Sequence, residues 1–352
     1  MRFIMYKTQL SAYHNSMKIV FTGGGTAGHI MPNIALIEEI KASYPDIEIH
    51  YIGSQSGMEK AMIAKLSHVK FHEVATVKFR RSLSLKNFGI PLKLIKGIRQ
   101  AKKLLKEIKP DIIFSKGGFV ALPITMAAKK SYPYIIHESD MSLGLANKLA
   151  LKNAKYLCSS FENIEGKNVI HTGLPLRKSL YIPKQKTTHP ILLVMGGSSG
   201  AVRLNNAVRK ILPKLTEKFE VIHLVGKGKI DETISLLSYT QIEFSDDIGK
   251  LYSKASVVLS RGGATALFEL VALKIPSVII PLPKGASRGD QVLNSRYFFD
   301  KGLCHMLEEE NLNEEALLGA IESCYNDKEL RKRLMETRDI DGTKKVVELL
   351  LN

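Results

Sequence analysis

The sequence predicts an α/β protein of two Rossmann-like domains facing each other across a cleft, and three observations lead there. From Met17 onward, short apolar runs alternate with amphipathic helical stretches, the pattern of a doubly wound parallel sheet. The pattern restarts after a polar stretch at 183–190 (PKQKTTHP). Finally, the first strand of each half runs into a glycine-rich turn and then a helix: GGGTAGH at 23–29 and GGSSGA at 196–201. A chain of 352 residues also exceeds what one hydrophobic core usually supports.

Strands are expected at 17–23, 47–53, 111–115, 134–137 and 155–159 in the first half, and at 191–195, 220–225, 256–260 and 277–281 in the second. The end is helical, most clearly at 312–324 and 343–351. Expected boundaries are a first domain at 17–173, a second at 174–335, and a C-terminal helix within 336–352 that packs back on the first domain. Residues 1–16 have too short an apolar stretch for a signal-peptide core, so they are expected to be a disordered extension or a start-site artefact, with Met17 a second possible start.

Composition sets outer limits. Apolar residues make up 45% and charged residues 24%, as in globular proteins, and no apolar run approaches the ~18 residues of a spanning helix. The three cysteines lack metal-type spacing, so neither a disulfide framework nor a metal site is expected, and a reducing cytoplasm fits. A formal charge of +17 suggests a polyanionic partner: nucleic acid, an anionic membrane or phosphorylated substrates. No helix-turn-helix, RNA-recognition or OB signature is present, so nucleic acid is not expected. The basic charge concentrates at 70–110, where twelve Lys or Arg face two acids. Phe79, Leu83, Leu85, Phe88, Ile90, Leu92 and Leu94 interleave with them, as in an interfacial membrane patch, although a solvated helix face with its own core stripe would read alike.

The first glycine turn satisfies G-x-G-x-x-G, by itself a weak dinucleotide signal. Glycines permit close backbone approach, and the helix start offers N–H groups and a positive dipole end to an anion. A dinucleotide site also wants an acid at the end of the second strand. That strand ends Ile52, Gly53, Ser54, which argues against an oxidoreductase. His29 follows the turn in the first helical turn, with Pro32 close behind; a helix start disfavours the imidazolium, so His29 is a candidate general base, or it merely hydrogen-bonds the loop.

In the second half, RGGATALFE (261–269) follows a strand. Thr265 can cap a helix there, and Glu269, one turn on, can accept from a ribose diol or serve as a first-turn acid. The loop PLPKGASRGDQ (281–291) offers Arg288, Asp290 and Gln291 at a strand's carboxyl end, though an ordinary solvated loop looks similar. Arg177, in TGLPLR, lies where the pattern restarts and could clamp a pyrophosphate.

Taken in order, GGGTAGH, SKGGF (115–119), HESD (137–140), TGLPLR (172–177), GGSSGA, RGGATALFE and SRGDQ (287–291) resemble the MurG family, peptidoglycan N-acetylglucosaminyltransferases of the GT-B fold, over essentially all of 17–352. The resemblance implies inverting transfer of N-acetylglucosamine from UDP-N-acetylglucosamine to lipid I, the undecaprenyl-pyrophosphoryl-N-acetylmuramoyl peptide, at the anionic cytoplasmic membrane surface. It implies an acceptor- and membrane-binding first domain and a UDP-sugar-binding second. The donor-binding positions it implies are Gly25, Thr26, Arg177, Ser198, Glu269 and Gln291, with His29 as base and no metal or other cofactor. Two departures stand out: Ala27 replaces the middle glycine of the usual GGTGGH, which would narrow ligand approach, and HESD replaces HEQN, putting Asp140 where an asparagine contacts the sugar. A transferase of the same fold with another lipid acceptor such as diacylglycerol, or a nucleotide-sugar-binding membrane protein without catalysis, would share most of these motifs.

Overall fold

The computed structural model describes residues 17–77, 90–197, 201–285 and 289–352. The segment 1–16, Ser198, Arg288 and, within the basic stretch, Lys78, Arg80, Arg81 and Lys86 lie outside the described residues. The chain forms two compact units: one from residues up to Arg177 together with Asp341–Asn352, the other from Lys178–Ile340.

The first unit holds a seven-stranded sheet of β1 (Lys18–Thr22), β2 (Glu48–Ser54), β3 (Val69–Val74), β4 (Ile112–Ser115), β5 (Tyr134–Glu138), β6 (Tyr156–Ser159) and β7 (Val169–His171). Its order is β3-β2-β1-β4-β5-β6-β7, with every pairing parallel. Helices cover both faces of such a sheet, so its inner strands must be apolar nearly throughout. KIVFT, IIFS and YIIHE meet that demand, and Ile19, Val20, Phe21, Ile113 and Phe114 are fully buried. The helix Ala27–Ser43 is buried along most of its length. Pro32 is its sixth residue rather than part of the first turn, which corrects the sequence expectation. The last helix, Thr343–Leu351, returns to this unit: Val346, Val347 and Leu350 join the core formed by Ile34, Ile37 and Ile40. Thr343 fastens its start, accepting from Leu176 N and donating to Leu176 O.

β3 was not expected as a strand, since exposed Lys70 and Glu73 and half-exposed His72 interrupt its apolar residues at the sheet edge. Lys70 consequently belongs to an ion pair with Glu48 on β2, not to a free basic surface. The helix Ile90–Ile108 does carry exposed charge: Gly97, Ala101, Leu105 and Ile108 face the core, while Lys93, Lys96, Arg99, Lys102, Lys103 and Lys106 are exposed.

The second unit repeats the plan with β8 (Ile191–Met195), β9 (Glu220–Leu224), β10 (Tyr239–Ile242), β11 (Val257–Ser260), β12 (Ser277–Ile279) and β13 (His305–Met306), ordered β10-β9-β8-β11-β12-β13 and again all parallel. The helices Glu314–Asn326 and Lys328–Glu336 start with capping residues, Asn313 accepting from Ala316 N and Asp327 from Leu330 N.

One buried imidazole ties three elements of this unit. His223 on β9 meets the Tyr239 hydroxyl of β10 at 3.0 Å and Asn205 Oδ1 of the helix Val202–Leu215 at 3.1 Å. Burial, helped by the Arg209 cation, pushes its pKa from 6.5 down to about 3. Because the folded pKa is depressed, the unfolded chain binds the proton first as pH falls. Stability is therefore full above about 6.5 and declines toward pH 3, with a slope approaching ~1.4 kcal/mol per pH unit from this group. Urea midpoints at pH 7 and pH 4.5 should fall further for wild type than for His223→Gln; equal losses would contradict the assignment.

Candidate active site

In an open α/β sheet the strand order reverses at one point, and ligands bind in the crevice at the carboxyl ends of the strands flanking it. The first sheet reverses between β1 and β4, the second between β8 and β11. Both glycine turns of the sequence, and the SKGGF and RGGATALFE segments, emerge at these two points.

At the first point the turn after β1 is held from below by Glu59, which is fully buried. Its Oε2 accepts from Gly25 N at 3.2 Å, and its Oε1 accepts from Ser54 N at 2.9 Å and from the Ser54 hydroxyl. A Cβ on Gly24 would sit 2.6 Å from this carboxylate, so the turn and the acid require each other. Tyr51 adds a second brace, donating to Gly23 O at 2.6 Å and accepting from Asn33 Nδ2 at 2.9 Å. An acid does stand near the end of the second strand, but it binds the protein's own backbone, so the argument against a ribose-binding dinucleotide site holds on firmer ground.

His29 is the third residue of the helix, half-buried, with Nδ1 2.9 Å from the Thr26 hydroxyl. Thr26 therefore orients the imidazole instead of capping the helix, where its side chain makes no bond. Ala27 is the first helical residue, where it loses less backbone freedom on ordering than glycine would. The turn after β4 packs directly against this group: a Cβ on Gly118 would lie 3.1 Å from Gly24 O and 3.4 Å from His29 Nδ1. Lys116, 1% exposed, opens that turn, and its ammonium donates to the Ser139 hydroxyl beyond β5. Burial lowers its pKa to about 8, against the pull of Glu138 and Asp140. Glu138 accepts from Ser139 N, Asp140 N, Gly144 N and Asn147 Nδ2, which shapes the HESD loop.

At the second point the helix Ala264–Ala272 begins after Gly263, and no side chain caps it, so Thr265 lies within the first turn and is not the cap that its sequence position suggested. Glu269 is the sixth helical residue, too far in to act as a first-turn acid, and it is 7% exposed. The Tyr252 hydroxyl donates to its Oε2 at 3.0 Å and lies 3.5 Å from the Met195 sulfur at the end of β8. Tyr252 thus links Glu269 to the strand that opens the second glycine turn. Gln291, second in the helix Asp290–Asp300, accepts from Leu282 N at 3.0 Å and so holds the PLP segment. Arg261 forms a buried pair with Glu309 at 2.7 Å and donates to Ile280 O, which binds the start of the RGG turn to β12.

The first unit ends at Arg177, within electrostatic reach of Glu38 on the helix Ala27–Ser43. Its Nε is buried without a hydrogen-bond partner among the described residues. The structure thus brings Gly25, Thr26 and His29 together at one switch point and Glu269 and Gln291 at the other. Sequence reasoning missed Glu59, Lys116 and Tyr252. Only Lys116 left a local signal, a lysine between a strand and a pair of glycines. Among the described residues no group of three or more His, Cys, Asp or Glu is placed to hold a metal ion.

Two parallel Rossmann-like sheets, each with a glycine turn at its switch point, are the architecture of the GT-B class. The comparisons agree. The glycosyltransferase family 28 N-terminal domain matches residues 19–158, and the family's C-terminal domain matches 191–350. A UDP-N-acetylglucosamine–N-acetylmuramyl-(pentapeptide) pyrophosphoryl-undecaprenol N-acetylglucosamine transferase of Lachnoclostridium phytofermentans is 43% identical over 350 residues, covering 95% of this chain and 98% of its own. Its namesake in Lachnospira eligens is 46% identical over 329 residues, 88% of this chain and 92% of that protein. The crystal structure of Acinetobacter baumannii MurG superposes with a TM-score of 0.75 at 21% identity, over 95% of this chain and 99% of that one. The chain belongs to glycosyltransferase family 28 and, within it, to the MurG family of N-acetylglucosamine transferases.

Proposed function

We infer that this protein moves N-acetylglucosamine from UDP-N-acetylglucosamine to the 4-hydroxyl of the N-acetylmuramoyl unit of lipid I, with inversion, and so makes lipid II. The observation that carries the reading is near-full-length identity of 43% to a transferase of that name, joined to a histidine and a buried carboxylate at the two switch points.

In this reading His29 Nε2 takes the proton of the acceptor hydroxyl. That requires the neutral imidazole to carry its hydrogen on Nδ1 and donate it to Thr26 Oγ1, which the 2.9 Å contact allows. The acceptor oxygen then attacks the anomeric carbon from the face opposite the diphosphate, the bond from that carbon to the diphosphate oxygen breaks, and UDP leaves with the electron pair. Helix N-termini and the Arg177 guanidinium stabilise the departing charge, so no metal or other cofactor enters the scheme. Glu269, oriented by Tyr252, accepts from the ribose diol; Gln291 holds the loop beside it and offers its amide to the donor, and Ser198 contributes from the second glycine turn. Since Gly25 N–H already serves Glu59, Gly25 and Thr26 act on the donor through the shape of the turn and the orientation of His29.

We further propose that the helix Ile90–Ile108 docks on an anionic membrane. Leu92 is 73% exposed and Ile95 44%, beside Lys93, Lys96 and Arg99, which pairs apolar insertion with basic attraction to lipid headgroups. No helix among the described residues is long and apolar enough to cross a membrane.

UDP release with a lipid I analogue tests the transfer. Wild type should turn over, while His29→Ala should lose ~10²-fold or more in kcat with UDP binding kept, and Glu269→Ala should lose nucleotide binding; UDP-N-acetylglucosamine binding with no transfer to lipid I would defeat the reading. For the membrane, sedimentation with phosphatidylglycerol vesicles should weaken with salt and in Leu92→Ser/Lys96→Glu. Binding that ignores anionic lipid would overturn it.

A further inference from the structure

Lys116 is a buried charge at the first switch point that the transfer scheme leaves without a task. Its backbone N–H donates to Thr22 O, which fixes the end of β4 beside the end of β1. Its Cβ lies against Gly23: a Cβ built there would be 2.9 Å away. The ammonium reaches across to the Ser139 hydroxyl, and Asp140 is the next residue. Lysine is rarely buried without an anionic partner, because desolvating its charge costs several kcal/mol. Two carboxylates are near, and they are not equivalent. Glu138 already accepts from four N–H donors, three of them backbone amides of the loop that follows it. Asp140 is half-buried, lies two residues past the carboxyl end of β5, and attracts Lys116.

We propose that Lys116 is a positioning residue of the acceptor side, its buried ammonium holding the Ser139–Asp140 segment and offsetting the Asp140 charge, so that a carboxylate can stand there without repelling a diphosphate-bearing substrate. This rests on the reading of the first unit as the acceptor side of a lipid I transferase. It explains why this chain has aspartate in a position where an amide would be neutral: cation and anion form one unit, and the residue that permits Asp140 lies on a different strand. Lys116 itself touches no substrate, being 1% exposed. The charged and titratable groups that face the ammonium are Glu138, Asp140, Cys158 and His137, and burial beside this cation keeps His137 neutral.

The test is a charge cycle on the full-length protein. Methionine matches the length of the lysine stem without its charge, so Lys116→Met should raise KM for the lipid I analogue about tenfold while kcat stays within about threefold. Adding Asp140→Asn should bring KM back to within about threefold of wild type, since the repelling charge goes with its partner. A Lys116→Met/Asp140→Asn double variant no better than Lys116→Met, at equal folded fraction, would overturn the proposal. Should Lys116→Met not fold, the Lys116 ammonium can be titrated by NMR in Asp140→Asn, whose changed residue is half exposed. The midpoint should fall from the wild-type value, and an unmoved midpoint would equally overturn the coupling. The NMR arm reads the pair without turnover, so an absence of transfer in wild type would count against the proposed activity and not against the pair.

Discussion

The Glu59 carboxylate beneath the first glycine turn is the contact on which the first unit's site depends. A turn of three glycines has no side chains to hold its shape, and glycine loses more backbone freedom on ordering than any other residue. Glu59 meets that cost with charge-assisted bonds to Gly25 N–H and to the Ser54 N–H and hydroxyl, each worth about 1.5–3 kcal/mol. Once the turn is fixed, the helix starts at Ala27, Thr26 faces His29, and the turn after β4 can pack within van der Waals reach of Gly24 and His29. His29, the proposed base, is therefore oriented by contacts within the protein itself, the condition for an active site that need not reorganise during the reaction.

The second unit solves the same problem by other means. Its carboxylate, Glu269, lies within the helix Ala264–Ala272 and not beneath a glycine turn, and it is aimed by the Tyr252 hydroxyl from the helix Ile248–Lys254. Gln291 and the Arg261–Glu309 pair fix the surrounding loops. One fold thus carries two kinds of acid at its switch points: one holding backbone, the other held by a tyrosine hydroxyl.

Much of this was legible in the sequence, and the reasons it was or was not are physical. Inner parallel strands are buried on both faces, so KIVFT, IIFS and ILLVM stood out as apolar runs. The edge strands β3 and β10 are half exposed, with Lys70 and Glu73 in one and Thr240 and Gln241 in the other, and no apolar run marks them. The glycine turns and His29 were legible because tight turns and helix starts demand particular residues in fixed order, whereas Glu269, deeper in its helix than a first-turn acid, stood out only by its place in RGGATALFE. Glu59 was not, because its partners, Ser54 and Gly25, lie on two other elements and nothing in MEK distinguishes an acid that points inward. Tyr252 is 17 residues from Glu269, and only the fold joins them. Lys116 was hidden by its type, since lysine is ordinarily a surface residue.

Whether the first site is built in advance can be measured by amide hydrogen exchange on the substrate-free protein, read at Gly25 and Ser54. If Glu59 holds the turn, both amides exchange far more slowly than in an unstructured peptide, and Glu59→Gln accelerates Gly25 while distant core amides of the second unit keep their rates. Exchange of Gly25 at the rate of an open loop in wild type would contradict the account, because the turn would then form only when substrate binds.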